Sequence, residues 1–232
     1  MISKQSNRIF RDKNDVQGQI LLNRLLESDI SAGDYRETMF KIGCHLGQSL
    51  SQLVERDKKY CVVSTVEDAD YLAKGIIDVL RKKASTIFLV CLWNQRSTVE
   101  ETNTSIAPIY NRFYQAGYEQ ADDFIVVKSI ISGSCVVKTN ITEIFQRVQP
   151  KAIHVVAPVM HIESEFKLRS EFPERISSRF DFTYIAQDSI RDEASGEVSP
   201  GLGGNVYEKL GFIDQSDKNS YFPEIVKERL SA

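Results

Sequence analysis

Two periods of apolar residues succeed one another along this chain. In residues 17–27, Ile20, Leu21, Leu25 and Leu26 recur at helical spacing and predict a short helix. Asp29-Ile30-Ser31 follows, with Ser31 placed to cap a longer helix over residues 33–55. There Tyr35, Met39, Ile42, Leu46, Leu50 and Leu53 stand three or four residues apart, a stripe whose ordinary role is core packing. Beyond it, continuous apolar runs over 59–65, 86–93, 124–131, 152–159 and 180–186 read as strands. Helical stretches over 69–82, 136–148 and 162–171 lie between them, while residues 94–109 are polar and irregular. Such runs between helices predict an α/β fold: a central, mostly parallel sheet covered by helices on both faces. N-terminal helices precede it and a short helical tail follows. Ligands bind beyond the carboxyl ends of the strands in such sheets, which directs attention to the loops after Thr65, Trp93, Ile131 and Ala186.

The domain division follows from the same pattern. Residues 1–15 read as a loose arm, 16–212 as one domain and 213–232 as a tail. The tail carries Ile225, Val226 and Leu230 on one face, able to pack on its own domain or on a partner. With 232 residues, 42% hydrophobic and 26% charged, the chain is long enough for one sizeable core.

Charge and rare residues narrow the function. A net charge of -3 gives no concentrated basic surface, so nucleic-acid binding is not expected. The cysteines (Cys44, Cys61, Cys91, Cys135) and histidines (His45, His154, His161) are scattered without zinc-ligand spacing, and no metal site is expected from them. Cys61 and Cys91 sit in apolar runs and read as small buried hydrophobes, consistent with a reduced cytoplasmic setting. The longest strongly apolar run, 87–93, is too short to cross a bilayer, and no membrane association is expected. No histidine neighbours Cys135, so a thiol nucleophile there lacks support.

Two motifs at opposite ends of the domain carry a family resemblance. Asp29-Ile30-Ser31, Tyr35-Arg36-Glu37 and Gly43 resemble the D-I-S-x(3)-F-R-E-x(5)-G of uracil phosphoribosyltransferases. Pro200-Gly201-Leu202-Gly203 resembles the start of that family's P-G-L-G-D-A-G-D loop, with Gly211 at its terminal glycine. The likeness runs from about residue 17 to residue 213. It implies a type I phosphoribosyltransferase fold and a reaction of pyrimidine salvage, in which uracil displaces pyrophosphate from phosphoribosyl pyrophosphate. That chemistry needs carboxylates on the ribose hydroxyls, arginines on the pyrophosphate and backbone amides around the 5′-phosphate.

The chain departs from the family where charge is recognised. The family's V-D-P-M-L-A-T-G-G-S is Val126-Val127-Lys128-Ser129-Ile130-Ile131-Ser132-Gly133-Ser134-Cys135 here. The ribose-gripping aspartate falls on Val127, beside Lys128, and a diol against an isopropyl group leaves polar groups unpaired at roughly 1–3 kcal/mol each. Ser132, Gly133, Ser134 and Cys135 keep the small residues of a phosphate cradle before a helix, or simply form a tight turn. In the pyrophosphate loop the arginine falls on Glu67, with Asp68 and Asp70 beside it; a solvated acidic loop is expected. After the second strand another arginine position holds Asn94, with Arg96 as a distant substitute. In the glycine-rich loop the two aspartates fall on Gly204 and Tyr207. Pro200, Gly201, Leu202 and Gly203 keep the outline of a base-binding slot.

The resulting expectation is a catalytically deficient family member that senses a nucleotide or other phosphorylated small molecule, or binds a partner. The alternative is an active pentosyltransferase that uses Mg2+ and makes a nucleoside monophosphate from uracil or a relative, with Lys128, Arg96 and the acidic triplet as its site. The resemblance also implies a homodimer, and the tail offers a surface for a second protein.

Overall fold

The computed structural model describes residues 7–95, 97–99, 104–192 and 195–231. Residues 1–6 and Arg96 lie outside the described residues, so the part of the arm they form and the proposed arginine substitute are not placed.

The chain begins with β1 (Arg8–Phe10), α1 (Val16–Leu25) and α2 (Ala32–Ser51). Asp15 caps α1 through the Gly18 amide, and Ser31 caps α2 through the Asp34 amide. β2 (Lys59–Thr65) then leads through a 3-10 turn, Val66–Asp68, and a π-helical turn, Ala69–Ala73, into α3 (Lys74–Leu80). β3 (Thr86–Asn94), the hairpin of β4 (Ser97–Val99) and β5 (Thr104–Ile106), and β6 (Ile109–Tyr114) follow. Next come β7 (Asp123–Val127), β8 (Ile130–Ile131), α4 (Cys135–Phe145), β9 (Ala152–His161), α5 (Ser164–Ser170), α6 (Glu174–Ser177) and β10 (Phe180–Asp188). The chain ends with β11 (Ile190–Arg191), β12 (Val198–Ser199), α7 (Val206–Lys209), α8 (Gln215–Ser220) and α9 (Glu224–Leu230).

The main sheet has the order β1-β10-β9-β7-β2-β3-β6, with β8 also on β9. The inner pairs are parallel, while β1 on β10 and β6 on β3 are antiparallel. Side chains alternate across it. Tyr60 and Val62 of β2, with Ile87, Leu89, Cys91 and Trp93 of β3, pack against α1, α2 and α3. Cys61, Val63, Phe88, Val90 and Leu92 point to the opposite face, where α4 and α5 supply Val137, Ile141, Ile144 and Leu168. Both faces are buried, which is why these strands read as unbroken apolar runs.

The α2 stripe packs as expected through Leu50, whereas Leu53 lies past the helix end and is exposed. Gly43, Gly47 and Gly75 bring α2 and α3 together. A Cβ at Gly43 would stand 2.2 Å from the Leu72 carbonyl oxygen, and one at Gly75 2.3 Å from that of Phe40. Gly43→Ala should therefore cost about 3 kcal/mol, because backbone rather than a pliable side chain is in the way. A denaturant midpoint unchanged from the parent chain would refute this.

Three features differ from the sequence-based expectation. The supposed loose arm contains β1, and Arg8 is buried against Asp188 at 2.7 Å. The irregular stretch 94–109 contains a two-stranded hairpin. The tail, which packs on its own domain through Ile225 and Val226, one of the two places open to it, also contains α8, a helix not foreseen. No helix among the described residues is long and apolar enough to cross a membrane.

Candidate functional site

Several residues singled out from the sequence lie at or just past the carboxyl ends of β2, β3 and β7, and there Glu67 and Asp68 pair with Lys128. The 3-10 turn after β2 buries Glu67 and Asp68 instead of presenting them to water. Lys128, just past β7, sets its Nζ 3.1 Å from Glu67 Oε1 and 2.9 Å from Asp68 Oδ2. Asp68 Oδ2 also accepts from the Thr65 hydroxyl at 2.9 Å and the Ser129 amide at 3.0 Å. From the tail, Lys218 Nζ lies 3.9 Å from Glu67 Oε2 and donates to the Asn94 carbonyl at 2.6 Å. The expected solvated acidic loop is thus a buried ion cluster. Two adjacent carboxylates cannot be buried without cations, and Lys128 and Lys218 supply them.

The titration behaviour follows. Burial pushes the Glu67 carboxyl up, but Lys128 and Lys218 outweigh it and hold the group below its ordinary value. Burial likewise opposes the charge on Lys128, yet Asp68 and Glu67 keep its ammonium above the usual lysine range. Lys218 is different: burial dominates and holds it below the ordinary value. Burial, assisted by the Asp68 charge, raises the nearby Tyr35 hydroxyl.

The other expected positions are also engaged internally. Val127 is buried in the core with Val156. Asn94 Nδ2 donates to Asn140 Oδ1 at 2.9 Å, tying β3 to α4. The Tyr207 ring lies 4.9 Å from Lys218 Nζ, a cation–π contact. Asp70 faces away from the cluster and caps α9, accepting from the Glu224 and Ile225 amides at 2.8 Å each and from the Tyr221 hydroxyl.

The glycine-rich loop is anchored rather than open. The Gly201 amide donates to Asp188 Oδ2 at 2.9 Å, and the Gly201 carbonyl accepts from Arg8. The Leu202 carbonyl accepts from the Tyr35 hydroxyl at 3.0 Å, and the Leu210 carbonyl from Arg36 Nε at 2.7 Å. Gly203, at φ 86°, passes so near α1 that a Cβ would stand 2.3 Å from the Leu25 carbonyl oxygen. The two motifs that carry the resemblance therefore meet in space. The Gly201 amide and carbonyl and the Leu202 carbonyl thus already have partners within the chain.

The loop 132–134 does lead into the N-terminus of α4 at Cys135, and its residues are half-buried. The Ser134 hydroxyl donates to Glu171 Oε1 at 3.2 Å, and Lys138 pairs with the same carboxylate. Arg191, on β11, was not singled out from the sequence. Its Nη2 would lie 4.0 Å from a Cβ at Gly133, and its buried Nε has no hydrogen-bond partner among the described residues. The available signal was that Arg191 is the one basic residue between the end of β10 and Pro200.

The Mg2+ that the resemblance implies does not fit these residues. Glu67 and Asp68 already face an ammonium, and no group of three or more potential ligands occurs among the described residues. Two surface depressions, of about 450 and 310 Å³, lie elsewhere: one between α1 and α2, the other between β6 and α4.

No protein-family model matches the chain, and no curated protein matches its sequence. Among solved structures, the AQ2163 protein from Aquifex aeolicus aligns with a TM-score of 0.67 at 14% identity, over 89% of this chain and 99% of that one. A hypothetical protein from Neisseria gonorrhoeae with bound ppGpp aligns with a TM-score of 0.44 at 11% identity, over 67% and 79%. A hypoxanthine phosphoribosyltransferase from Staphylococcus aureus aligns with a TM-score of 0.40 at 16% identity, over 66% and 75%. What the chain shares with the Aquifex aeolicus protein is the fold, a mixed and mostly parallel sheet with flanking helices.

Proposed function

We propose that this chain is a catalytically deficient, uracil-phosphoribosyltransferase-like protein that binds a nucleotide or other phosphorylated small molecule without turning it over. The observation that carries this reading is the buried Glu67–Lys128–Asp68 cluster at the carboxyl ends of β2 and β7. A pyrophosphate placed there would have to displace an ammonium from two carboxylates and then face both of them. Like charges a few ångströms apart cost several kcal/mol at the effective dielectric of such a crevice, roughly 4 kcal/mol for one pair at 4 Å. Val127 gives the ribose no acceptor, and the anchored backbone of Gly201 and Leu202 leaves a base few groups to bind.

The phosphate loop is the remaining anion-binding element in this reading. Ser132, Gly133 and Ser134 lead into α4 at Cys135, with Arg191 beside Gly133. Assembly as a homodimer, a protein partner and residence in the cytoplasm belong to the same proposal.

The purified chain, given uracil, phosphoribosyl pyrophosphate and Mg2+, should form no uridine monophosphate above the enzyme-free control. Calorimetric titration with uridine monophosphate should show weak, saturable binding that Arg191→Ala reduces at least fivefold. Steady turnover would refute the deficiency, and a flat titration would refute the phosphate site.

A further inference from the structure

The shortest hydrogen bond from α8 to the body of the protein comes from one buried amine, that of Lys218. Among residues 215–220 only Lys218 is buried, and it is fully so. The other direct hydrogen bonds from this helix to the body are long: Gln215 Nε2 to the Asn94 carbonyl at 3.2 Å, and Asn219 Nδ2 to Gln95 Oε1 at 3.4 Å. Ile213, just before it, is 85% exposed. α9 is held quite differently, by buried Ile225 and Val226 and by the Asp70 cap.

The surface under α8 is polar and incompletely satisfied. Glu67 is buried, and among the described residues its Oε2 has no hydrogen-bond partner; Lys218 Nζ stands 3.9 Å from it. Asn94 Oδ1 is likewise buried without a partner. Leaving Lys218 aside, the cluster holds two carboxylates, Glu67 and Asp68, against the single ammonium of Lys128. A carboxylate oxygen, the Asn94 carbonyl and the Tyr207 ring face all surround one point, and each attracts a compact N–H-bearing cation. We infer that α8 is a lid over a site for a primary ammonium group, and that Lys218 is the occupant the chain itself supplies.

Lifting α8 removes one buried amine and no apolar core. Glu67, Asn94 and Lys218 then regain water, while α9 stays docked. The opening is therefore a local event, separable from global unfolding. The inference does not depend on the absence of transferase activity. Uridine monophosphate formation would defeat the preceding reading and leave this one standing.

The test uses the intact chain. Under native conditions, brief exposure to an amine-acetylating reagent followed by peptide mass spectrometry should modify Lys218 at least tenfold faster than Lys128, its buried neighbour. Equal protection of the two lysines until the whole protein unfolds would overturn the lid. Lys218→Ala should melt below the parent chain and recover toward it with methylammonium chloride. Tetramethylammonium chloride at equal concentration, which has no N–H to donate, should give no recovery. Equal effects of the two salts would overturn the ammonium site. If Lys218→Ala does not fold, the labelling of the unaltered chain decides.

Discussion

Lys128→Met should destabilise the protein by about 3–5 kcal/mol, the usual cost of removing one partner from a buried ion pair. Methionine keeps most of the lysine's length and removes the charge. Glu67 and Asp68 would then remain inside the protein facing only Lys218, which burial already holds below its ordinary value. The pH dependence has a definite sign. In the parent chain Glu67 is depressed below its ordinary value of 4.5, so its contribution is present above that value and is lost as pH falls through the lower folded value. In the variant the attraction of Lys128 is gone and burial of Glu67 is opposed by Lys218 and two hydrogen bonds alone, so protonation relieves the Glu67 carboxylate. The stability gap between parent and variant should therefore narrow as pH falls from 7 toward about 4. Combining Lys128→Met with Glu67→Gln and Asp68→Asn should recover part of the loss. Chemical denaturation at several pH values reads all three outcomes, and a gap of under 1 kcal/mol at pH 7 would show that the cluster is not a closed ionic unit.

Truncation after Phe212 should abolish soluble expression or leave a protein that unfolds near ambient temperature. Ile225 and Val226 are both buried, and each contributes about 1.5–3 kcal/mol by that burial. The truncation also strips Phe222 from Trp93, whose ring centroid lies 5.9 Å away, and removes the Tyr221 carbonyl that accepts from the Trp93 indole at 2.9 Å. Asp70 would lose every partner it has on the tail. Against a typical domain stability of 5–15 kcal/mol, these losses together are large. Soluble yield and a thermal melt decide the matter. A truncated chain that melts with the parent would restore the idea of a detachable appendage.

Much of the fold was legible because the sheet is covered on both faces. β3 is apolar without a break from Ile87 to Trp93, and β2 from Tyr60 to Val63, runs that a strand buried on both faces produces. The α2 stripe and the Ser31 cap were legible for local reasons too, since both lie within a few residues of what they organise. β1 was not, because three residues that include an arginine give no periodic signal. Its place depends on Arg8 meeting Asp188 across 180 positions of sequence. The candidate site failed to read for the same reason. Adjacent acids such as Glu67 and Asp68 are ordinarily solvated, and their burial depends on Lys128 and Lys218, which lie far away in sequence. The acidic character of the loop after β2 was visible residue by residue. That Lys128 and Lys218 neutralise it from distant parts of the chain was not.

The most direct test of a self-filled crevice is an experimental structure determined at saturating phosphoribosyl pyrophosphate and Mg2+. The account predicts Lys128 still between Glu67 and Asp68, α8 still over them, and no pyrophosphate at the ends of β2 and β3. A pyrophosphoryl ribose seated there, with the Lys128 ion pairs broken to admit it, would contradict the account.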